Sequence, residues 1–538
     1  MFQRLLRLVA AVSLIGSLTA CGGGGGGAVA SPPPPPATGW QQGVFAPEEN
    51  FVNQCENPRT GMDPTNRNLP YPDMQGSLLD EKNFLRSFSN RTYLWYDEIV
   101  DRDPATFDTP IDYFDVLRTF ETIPGTNEPK DPDGFHYAVD TLDWFNQAQG
   151  GVSFGYGAEL TIISGSPPRR AIVVFTEPNS PAANAGIMRG AELLEVDGVD
   201  FVNDNTQAGL DTILDGLFPS QVNEEHTFTF RAVGVVTPTT VTLSSATITN
   251  AMVQATQVFD TPTGKVGYLV FNYHRAPAEE ELIDAINQLI ADAAPDPIDD
   301  LIVDLRYNSG GFGIIASQLA YMVAGPDQTD GRTFDRLQFN DKHTTVDIFG
   351  NPILPDPFVD VTTGFFTLPF GEPLPTLDLS RVFVITGSET ASASELFING
   401  LRGIDIQVIQ IGTTTTGKPY GFYEQPNCGT SYFTVQFSSV NAKGFGDYAL
   451  GFVPSPVDDG EAQVLGCTVA DDFTRQLGDP GEDRLEVALA YQAGQTCITP
   501  QVAASGVISK ATVDVNANEG FMYKTPFDSN LIMLRPRR

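Results

Sequence analysis

From residue 266 onward, four apolar runs, VGYLVF (266–271), LIVDLR (301–306), RVFVIT (381–386) and IQVIQIG (406–412), alternate with helical stretches such as EEELIDAINQLIADA and SASELFINGLRG. Runs of this length without polar alternation read as buried strands, and strands interleaved with helices indicate an α/β core. In such a core the chemistry belongs at the strand ends, where the loops gather.

The chain has 538 residues, too many for one core, so about three folding units are expected. Apolar spacing in EKNFLRSFSNRTYLWYDEI (81–99), PIDYFDVLRTF (110–120) and YAVDTLDWF (137–145) predicts short amphipathic helices and an N-terminal helical domain over 46–149. Alternating apolar positions, turn residues and the run AIVVF predict a β-rich domain over 150–250. The α/β core then covers 251–500, and a stretch of mixed pattern, 501–538, extends it.

At the other end, Arg4 and Arg7 precede an apolar run ending at Leu18, then Thr19, Ala20 and Cys21. This is a secretory signal over 1–20, too short to span a bilayer as a helix. The quartet Leu18-Thr19-Ala20-Cys21 resembles a bacterial lipobox, which implies acylation of Cys21, and Gly22 after it implies outer-membrane sorting. Glycines 22–27 and prolines 32–36 cannot pack a core, so 21–45 reads as a flexible tether. Export allows Cys55, Cys428, Cys467 and Cys497 to pair; of three pairings, Cys428 with Cys467 is preferred because both flank one late segment, and free thiols are the alternative. The 67 acidic against 31 basic residues, a formal charge of -36, oppose attraction to nucleic acid or anionic lipid.

Three strand-to-turn segments carry the candidate chemistry. In VFVITGSETASASELF, a turn of small residues joins a strand ending near Thr386 to a helix starting near Ser394, which puts Ser392 at a helix N-terminus that favours developing negative charge. In IGTTTTGKPYG, Lys418 stands in a glycine-containing loop, and a buried neutral lysine can act as base for a serine. In LIVDLRYNSGGFG, a strand runs into a glycine turn whose amides can face an oxyanion. Asp304 and Arg306 beside that turn read as a buried ion pair or backbone clamp. Glu395 reads as a first-turn dipole partner or part of a capping arrangement. No HExxH, CxxC pair or phosphate loop appears, so no metal or nucleotide cofactor is implied.

Two resemblances sharpen this reading. SFGYG (153–157) followed by SPAANAG (180–186) resembles a PDZ domain; the likeness implies a carboxylate-binding loop at Phe154, Gly155, Tyr156 and Gly157 and a sheet edge that accepts a peptide. TASASE, GKPYG and DLRYNSGG are similar to the three signatures of the C-terminal processing, or tail-specific, serine proteases, with GFVPSPVDDG and LGDPGEDRLEVALAYQ extending the likeness over most of 80–500. That family implies a multidomain α/β chain with a core of ClpP/crotonase-like type, Ser392 as nucleophile, Lys418 as base and the Ala393 and Gly310 amides as oxyanion donors. It further implies endopeptidase cleavage of polypeptides near C-terminal ends by an exported lipoprotein, facing the periplasm or cell surface of a Gram-negative bacterium. The pattern departs in two places. Phe422 stands where the family commonly has glutamine, leaving Gln425 as a substitute, and the serine-to-lysine interval is one residue longer than the family pattern. Tricorn-type proteases use a histidine from a region like that of His136, which makes His136 a rival base; His226, His274 and His343 lie in no motif. The alternatives in another class are a catalytically silent peptide-binding lipoprotein and a hydrolase of other esters or amides.

Overall fold

The computed structural model describes residues 39–66, 68–364, 368–498, 521–522 and 531–533. The signal segment 1–20, Cys21, most of the 21–45 tether and most of 501–538 therefore lie outside the described residues.

The N-terminal part is built on helix α1, Leu78–Thr92, capped by Ser77, whose side chain accepts from the Asp80 N–H. Its buried face, Phe84, Leu85 and Phe88, packs on Tyr113, Phe114 and Leu117 and on Tyr432 from the late core. The predicted helix over 137–145 starts later than its apolar spacing suggested. Strand β1, Tyr137–Asp140, pairs antiparallel with core residues 430–433, and only then does helix α2, Thr141–Gly150, begin at an Asp140 cap. The β-branched and aromatic residues of YAVD are drawn into a sheet that the local pattern could not show.

The β-rich part contains β2, Val152–Gly155; β3, Ala158–Ser164; β4, Arg170–Thr176; β5, Glu192–Val196; helix α3, Gln207–Leu217; β6, Glu225–Arg231; β7, Thr239–Ser244; and β8, Ala246–Thr249. Strands run in the order β7-β6-β5-β4-β3, while β2 pairs with β8. SFG is therefore strand rather than loop, and only Tyr156 and Gly157 link it to β3.

The core sheet has the order β9-β10-β11-β14-β15-β20-β19. Its members, with the elements between them, are β9, Val253–Thr261; β10, Gly264–Phe271; α4, Ala278–Ala293; β11, Asp300–Asp304; β12, Gly311–Phe312; α5, Gly313–Ala324; β13, Thr333–Phe339; β14, Arg381–Thr386; α6, Ala393–Gly403; β15, Gln407–Gly412; β16, Tyr420–Tyr423; β17, Thr430–Phe433; β18, Phe437–Val440; β19, Val453–Ser455; β20, Gln463–Thr468; and α7, Asp483–Gln492. From β10 to β19 every neighbouring pair is parallel. One face is covered by Leu282, Leu289, Leu319 and Phe397 of α4, α5 and α6, the other by Leu485 and Val487 of α7, which is why these strands are apolar on both sides. At about 1.5–3 kcal/mol per buried aliphatic side chain, this sheet is the rigid base on which the site stands.

A second sheet runs β12-β22-β16-β18-β13 and on to residues 356–357, where β22 is Leu531–Met533. Gly311 and Gly421 both pair with Leu531, so residues 531–533 lie between the strand after the glycine turn and the strand after Lys418. Strand β21, Phe521–Met522, pairs antiparallel with β3 at Thr161 and Ile162.

The disulfides are Cys55–Cys428 and Cys467–Cys497, with sequence separations of 373 and 30 residues. The preferred pairing of Cys428 with Cys467 is thus corrected. Cys467 lies in β20, in the cluster under α7, whereas Cys428 turns between residues 425–427 and β17 in the small sheet that receives β1. Nearness along the chain hid the fact that the two belong to different sheets.

Candidate active site

Three turns converge above the C-terminal ends of β11, β14 and β15. After β14 the chain reaches Ser392 at φ 61° and ψ -113°, a left-handed conformation that costs a serine about 1–3 kcal/mol, and enters α6 at Ala393. The surroundings hold it there. Ala391 N donates to Asn308 O (3.2 Å), Ser394 Oγ donates to the same carbonyl (2.8 Å), and Thr390 Oγ1 donates to Leu305 O (2.8 Å). Ser392 is fully buried, and its Oγ makes no hydrogen bond among the described residues.

Glu395, one turn into α6, does more than face the helix dipole. Its Oε2 accepts from the N–H groups of Ser392 (2.8 Å) and Lys418 (2.8 Å), and its Oε1 from Thr415 Oγ1 (2.5 Å) and Gly417 N (2.7 Å). Burial raises its pKa despite these four donors, which oppose the shift. One carboxylate thereby ties the serine turn to the lysine loop. The run of threonines adds to the tie: Thr416 N donates to Thr390 O (2.9 Å) and its Oγ1 to Ser388 O (2.7 Å). The longer serine-to-lysine interval is absorbed in a loop anchored at each step.

Lys418 is fully buried. Its Nζ lies 3.9 Å from the ring centroid of Phe135 and 5.2 Å from that of Phe422. Burial drives its pKa well below the ordinary lysine value, and the fields of Asp131 and Glu395 oppose this without restoring it. The lysine is therefore biased toward the neutral amine a base must be. Gln425 is not at this site; it pairs with Tyr432 in the small sheet, and its Nε2 donates to Pro426 O (3.4 Å).

Gly310 closes the third side. A Cβ there would stand 2.7 Å from Ser392 Cβ and 3.0 Å from Ala393 N, so only glycine fits beside the serine. Its φ of 109° likewise suits glycine. Its amide, however, donates to Asn308 Oδ1 (3.0 Å). That oxygen also meets His274 Nδ1 (2.9 Å), which must be the donor, and Asn308 Nδ2 donates to Phe271 O (2.9 Å). The structure thus brings Gly310 to the serine but commits its N–H within its own turn. Ala393, at the first helical position, has no acceptor for its N–H inside the helix. Burial lowers the His274 pKa to about 4, so the imidazole is neutral.

His136 does not reach the serine. Its Nε2 donates to Phe114 O (2.8 Å), its Nδ1 meets Thr434 Oγ1 (2.9 Å), its ring stacks on Phe114 at 3.9 Å, and burial takes its pKa to about 3. Asp304 and Arg306 form the expected buried pair at 2.8 Å, extended by Asp471 (2.8 Å) and Glu482 (2.6 Å). Arg189, between β4 and β5, joins through Asp471 (2.6 Å) and through the Tyr307 hydroxyl. In the other segment singled out, Phe154 is 44% exposed whereas Tyr156 packs its ring 5.0 Å from Phe228, and the Gly157 carbonyl accepts from Glu177 N (2.8 Å).

Sequence reasoning missed Asn308, His274, Phe135 and Asp131. The last two come from PKDPDGFHY, whose prolines, glycine and aspartates signal only a turn. A cavity of about 320 Å³ opens there, lined by Pro129, Lys130 and Phe135 on one side and by Gly417, Tyr420 and Leu450 on the other.

Residues 265–429, which contain all three turns, match the model of peptidase family S41. The chain is 26% identical over 250 residues to a carboxyl-terminal-processing protease of Picosynechococcus sp., a match covering 46% of this chain. It spans half the length of that curated relative. A solved structure of a Bacteroides fragilis protein assigned to the S41 proteases shares 22% identity and a TM-score of 0.54, covering 79% of this chain and 98% of the other. The fold is therefore shared with that protein. A structure of the photosystem II D1 C-terminal processing protease aligns with a TM-score of 0.41 at 18% identity, over 71% of this chain and 93% of the other.

Proposed function

We propose that this chain, which carries a domain of peptidase family S41, is a serine endopeptidase that works through Ser392 and Lys418. The observation that carries the reading is a fully buried lysine with a depressed pKa, whose main chain is tied by the Glu395 carboxylate to the main chain of a strained serine. Lys418 takes the Ser392 proton, and the oxygen attacks a peptide carbonyl. The oxyanion is received by the Ala393 N–H, joined by the Gly310 N–H once it leaves Asn308 Oδ1. The ammonium returns its proton to the leaving amine, and water releases the acyl group.

The β-rich part serves as a PDZ-like module for the substrate's C-terminal end. Supporting this, the outer edge of β3 accepts an added antiparallel strand, here residues 521–522 of the chain itself. The helices and loops of 46–149 form a wall of the site. Cys21 anchors the protein to the outer membrane, facing the periplasm or cell surface, in keeping with the lipobox-like quartet.

The test compares cleavage of an unstructured protein by the full-length chain, Ser392→Ala and Lys418→Ala, each with its melting curve. Both variants are expected to fold and to lose more than about 1000-fold in kcat. Retained cleavage by Lys418→Ala refutes the Ser–Lys assignment; peptide binding without cleavage by the wild type makes the protein a binding lipoprotein instead.

A further inference from the structure

We propose that Asp131 is the positioning carboxylate of Lys418: its negative charge stabilises the ammonium formed when the Ser392 Oγ proton moves to Lys418 Nζ, while Asp131 itself takes no proton. The inference rests on the Ser–Lys reading above and assigns it a third member, drawn from the N-terminal wall rather than from the core.

Asp131 is 4% exposed. Its Oδ2 accepts from the Tyr93 hydroxyl at 2.5 Å, and its Oδ1 is buried with no hydrogen-bond partner among the described residues. Buried carboxylate oxygens are normally satisfied, so an oxygen left open in a rigid setting calls for a role. The setting is rigid because the Tyr93 hydroxyl also accepts from Thr119 N (3.0 Å), and the Tyr93 carbonyl accepts from Asn340 Nδ2 (2.9 Å). The turn after Asp131, closed by Phe135 N donating to Pro132 O (3.2 Å), places the Phe135 ring against Lys418 Nζ.

Among the described residues, the carboxylates of Asp131 and Glu395 act on Lys418. Glu395 already receives four donors and is committed to holding main chain. Asp131 has an oxygen to spare. No hydrogen bond joins Asp131 to Lys418 among the described residues, so the anion acts through space. A contact pair would keep the lysine protonated and idle, whereas a field at a distance leaves it neutral at rest and favours the ammonium as it forms.

The groups facing Asp131 are Tyr93, Arg118, Asp133 and Lys418. Burial raises its carboxyl to about 6, opposed by the Tyr93 hydrogen bond and by the charges of Arg118 and Lys418. It is therefore ionised above neutrality, where the counter-charge is needed.

The experiment measures kcat and KM from pH 5 to 10 for the full-length wild type, Asp131→Asn, Asp131→Glu and Lys418→Ala, with melting curves for each. Asn keeps the shape and the acceptor for Tyr93 but removes the charge. Asp131→Asn is expected to lose about 10- to 100-fold in kcat with KM within about twofold. Its acid limb should move to lower pH, because an ammonium without a nearby anion gives up its proton more readily. Asp131→Glu should restore part of the rate and the limb. A structural role alone would scale the rate without moving the limb. Wild-type kcat and an unmoved limb in Asp131→Asn overturn the proposal, while full activity in Lys418→Ala overturns the Ser–Lys reading instead. Should Asp131→Asn fail to fold, Tyr93→Phe decides. It removes the hydrogen bond that opposes the rise of the Asp131 pKa, so the carboxyl keeps its proton to higher pH and the loss of rate on the acid side should set in at higher pH; an unmoved limb overturns the proposal.

Discussion

Arg306 and Lys418 lie in turns that face the same serine, and both are sealed from water, yet the fold treats them in opposite ways. Around Arg306, burial works to lower the pKa, but the fields of Asp304, Glu482 and Asp471 raise it well above the usual guanidinium value. Each of those carboxylates lies within 2.6–2.8 Å. Around Lys418, burial also lowers the pKa, and there it prevails over the fields of Asp131 and Glu395. One cation is surrounded by anions in contact and is permanently charged; it joins β11, the late segment and Arg189 of the β-rich part. The other is set among aromatic rings, where its proton is loosely held. The difference separates a buried charge that organises structure from one available for chemistry.

The largest effect that tests this contrast comes from the saturated side. Glu482→Gln leaves Arg306 short of a counter-charge and weakens the cap of α7, where Glu482 Oε2 accepts from Leu485 N (3.0 Å). The expected cost is about 3–5 kcal/mol in urea unfolding. A loss below about 1 kcal/mol would mean that the remaining carboxylates suffice and the contrast is overstated.

An intermediate effect comes from two acids whose pKa, like that of Lys418, is shifted chiefly by burial. Asp335 is raised to about 7 by burial and by Asp356, against a hydrogen bond from Ser439, and Asp356 is raised to about 6 by burial. A carboxyl whose folded pKa exceeds its unfolded one stabilises the fold below about pH 4, and that contribution is lost as pH rises to 7. Asp335→Asn should thus match the wild type at pH 4 and exceed it by about 1–2 kcal/mol at pH 8. Equal melting temperatures at pH 8 would show that the pair is relieved in another way.

The smallest effect is the most telling. Lys418→Met should abolish cleavage yet leave stability unchanged or raised by about 1 kcal/mol near neutrality, since a depressed lysine penalises the fold below its unfolded pKa. The advantage of the variant should shrink as pH approaches 10, where the unfolded lysine also loses its proton. A clear destabilisation at pH 7 would place Lys418 with Arg306 as a structural cation.

The strands of the core and the serine and lysine turns were legible because each is a local signal: an apolar run, a cluster of small residues, a lysine flanked by glycine and proline. What was not legible depends on contacts between distant segments. YAVD is a strand only because β17 lies beside it, and Cys428 finds Cys55 rather than Cys467 because of that same small sheet. The resemblance to the tail-specific proteases implies the Gly310 amide as an oxyanion donor. The side chain two residues before it, Asn308, claims that amide through a network reaching His274 and Phe271. Asp131 left no local mark, since an acidic residue in a proline-containing turn normally faces water.

The bond between Cys55 and Cys428 makes most of the molecule a covalent ring of chain. Everything from α1 through the β-rich part to the lysine loop lies inside it. A single break in an exposed loop of that ring opens the circle without freeing either end, so the wall bearing Asp131 and the strand following Lys418 stay parts of one molecule. Such closure turns an accidental cut from a loss of parts into a change of connectivity.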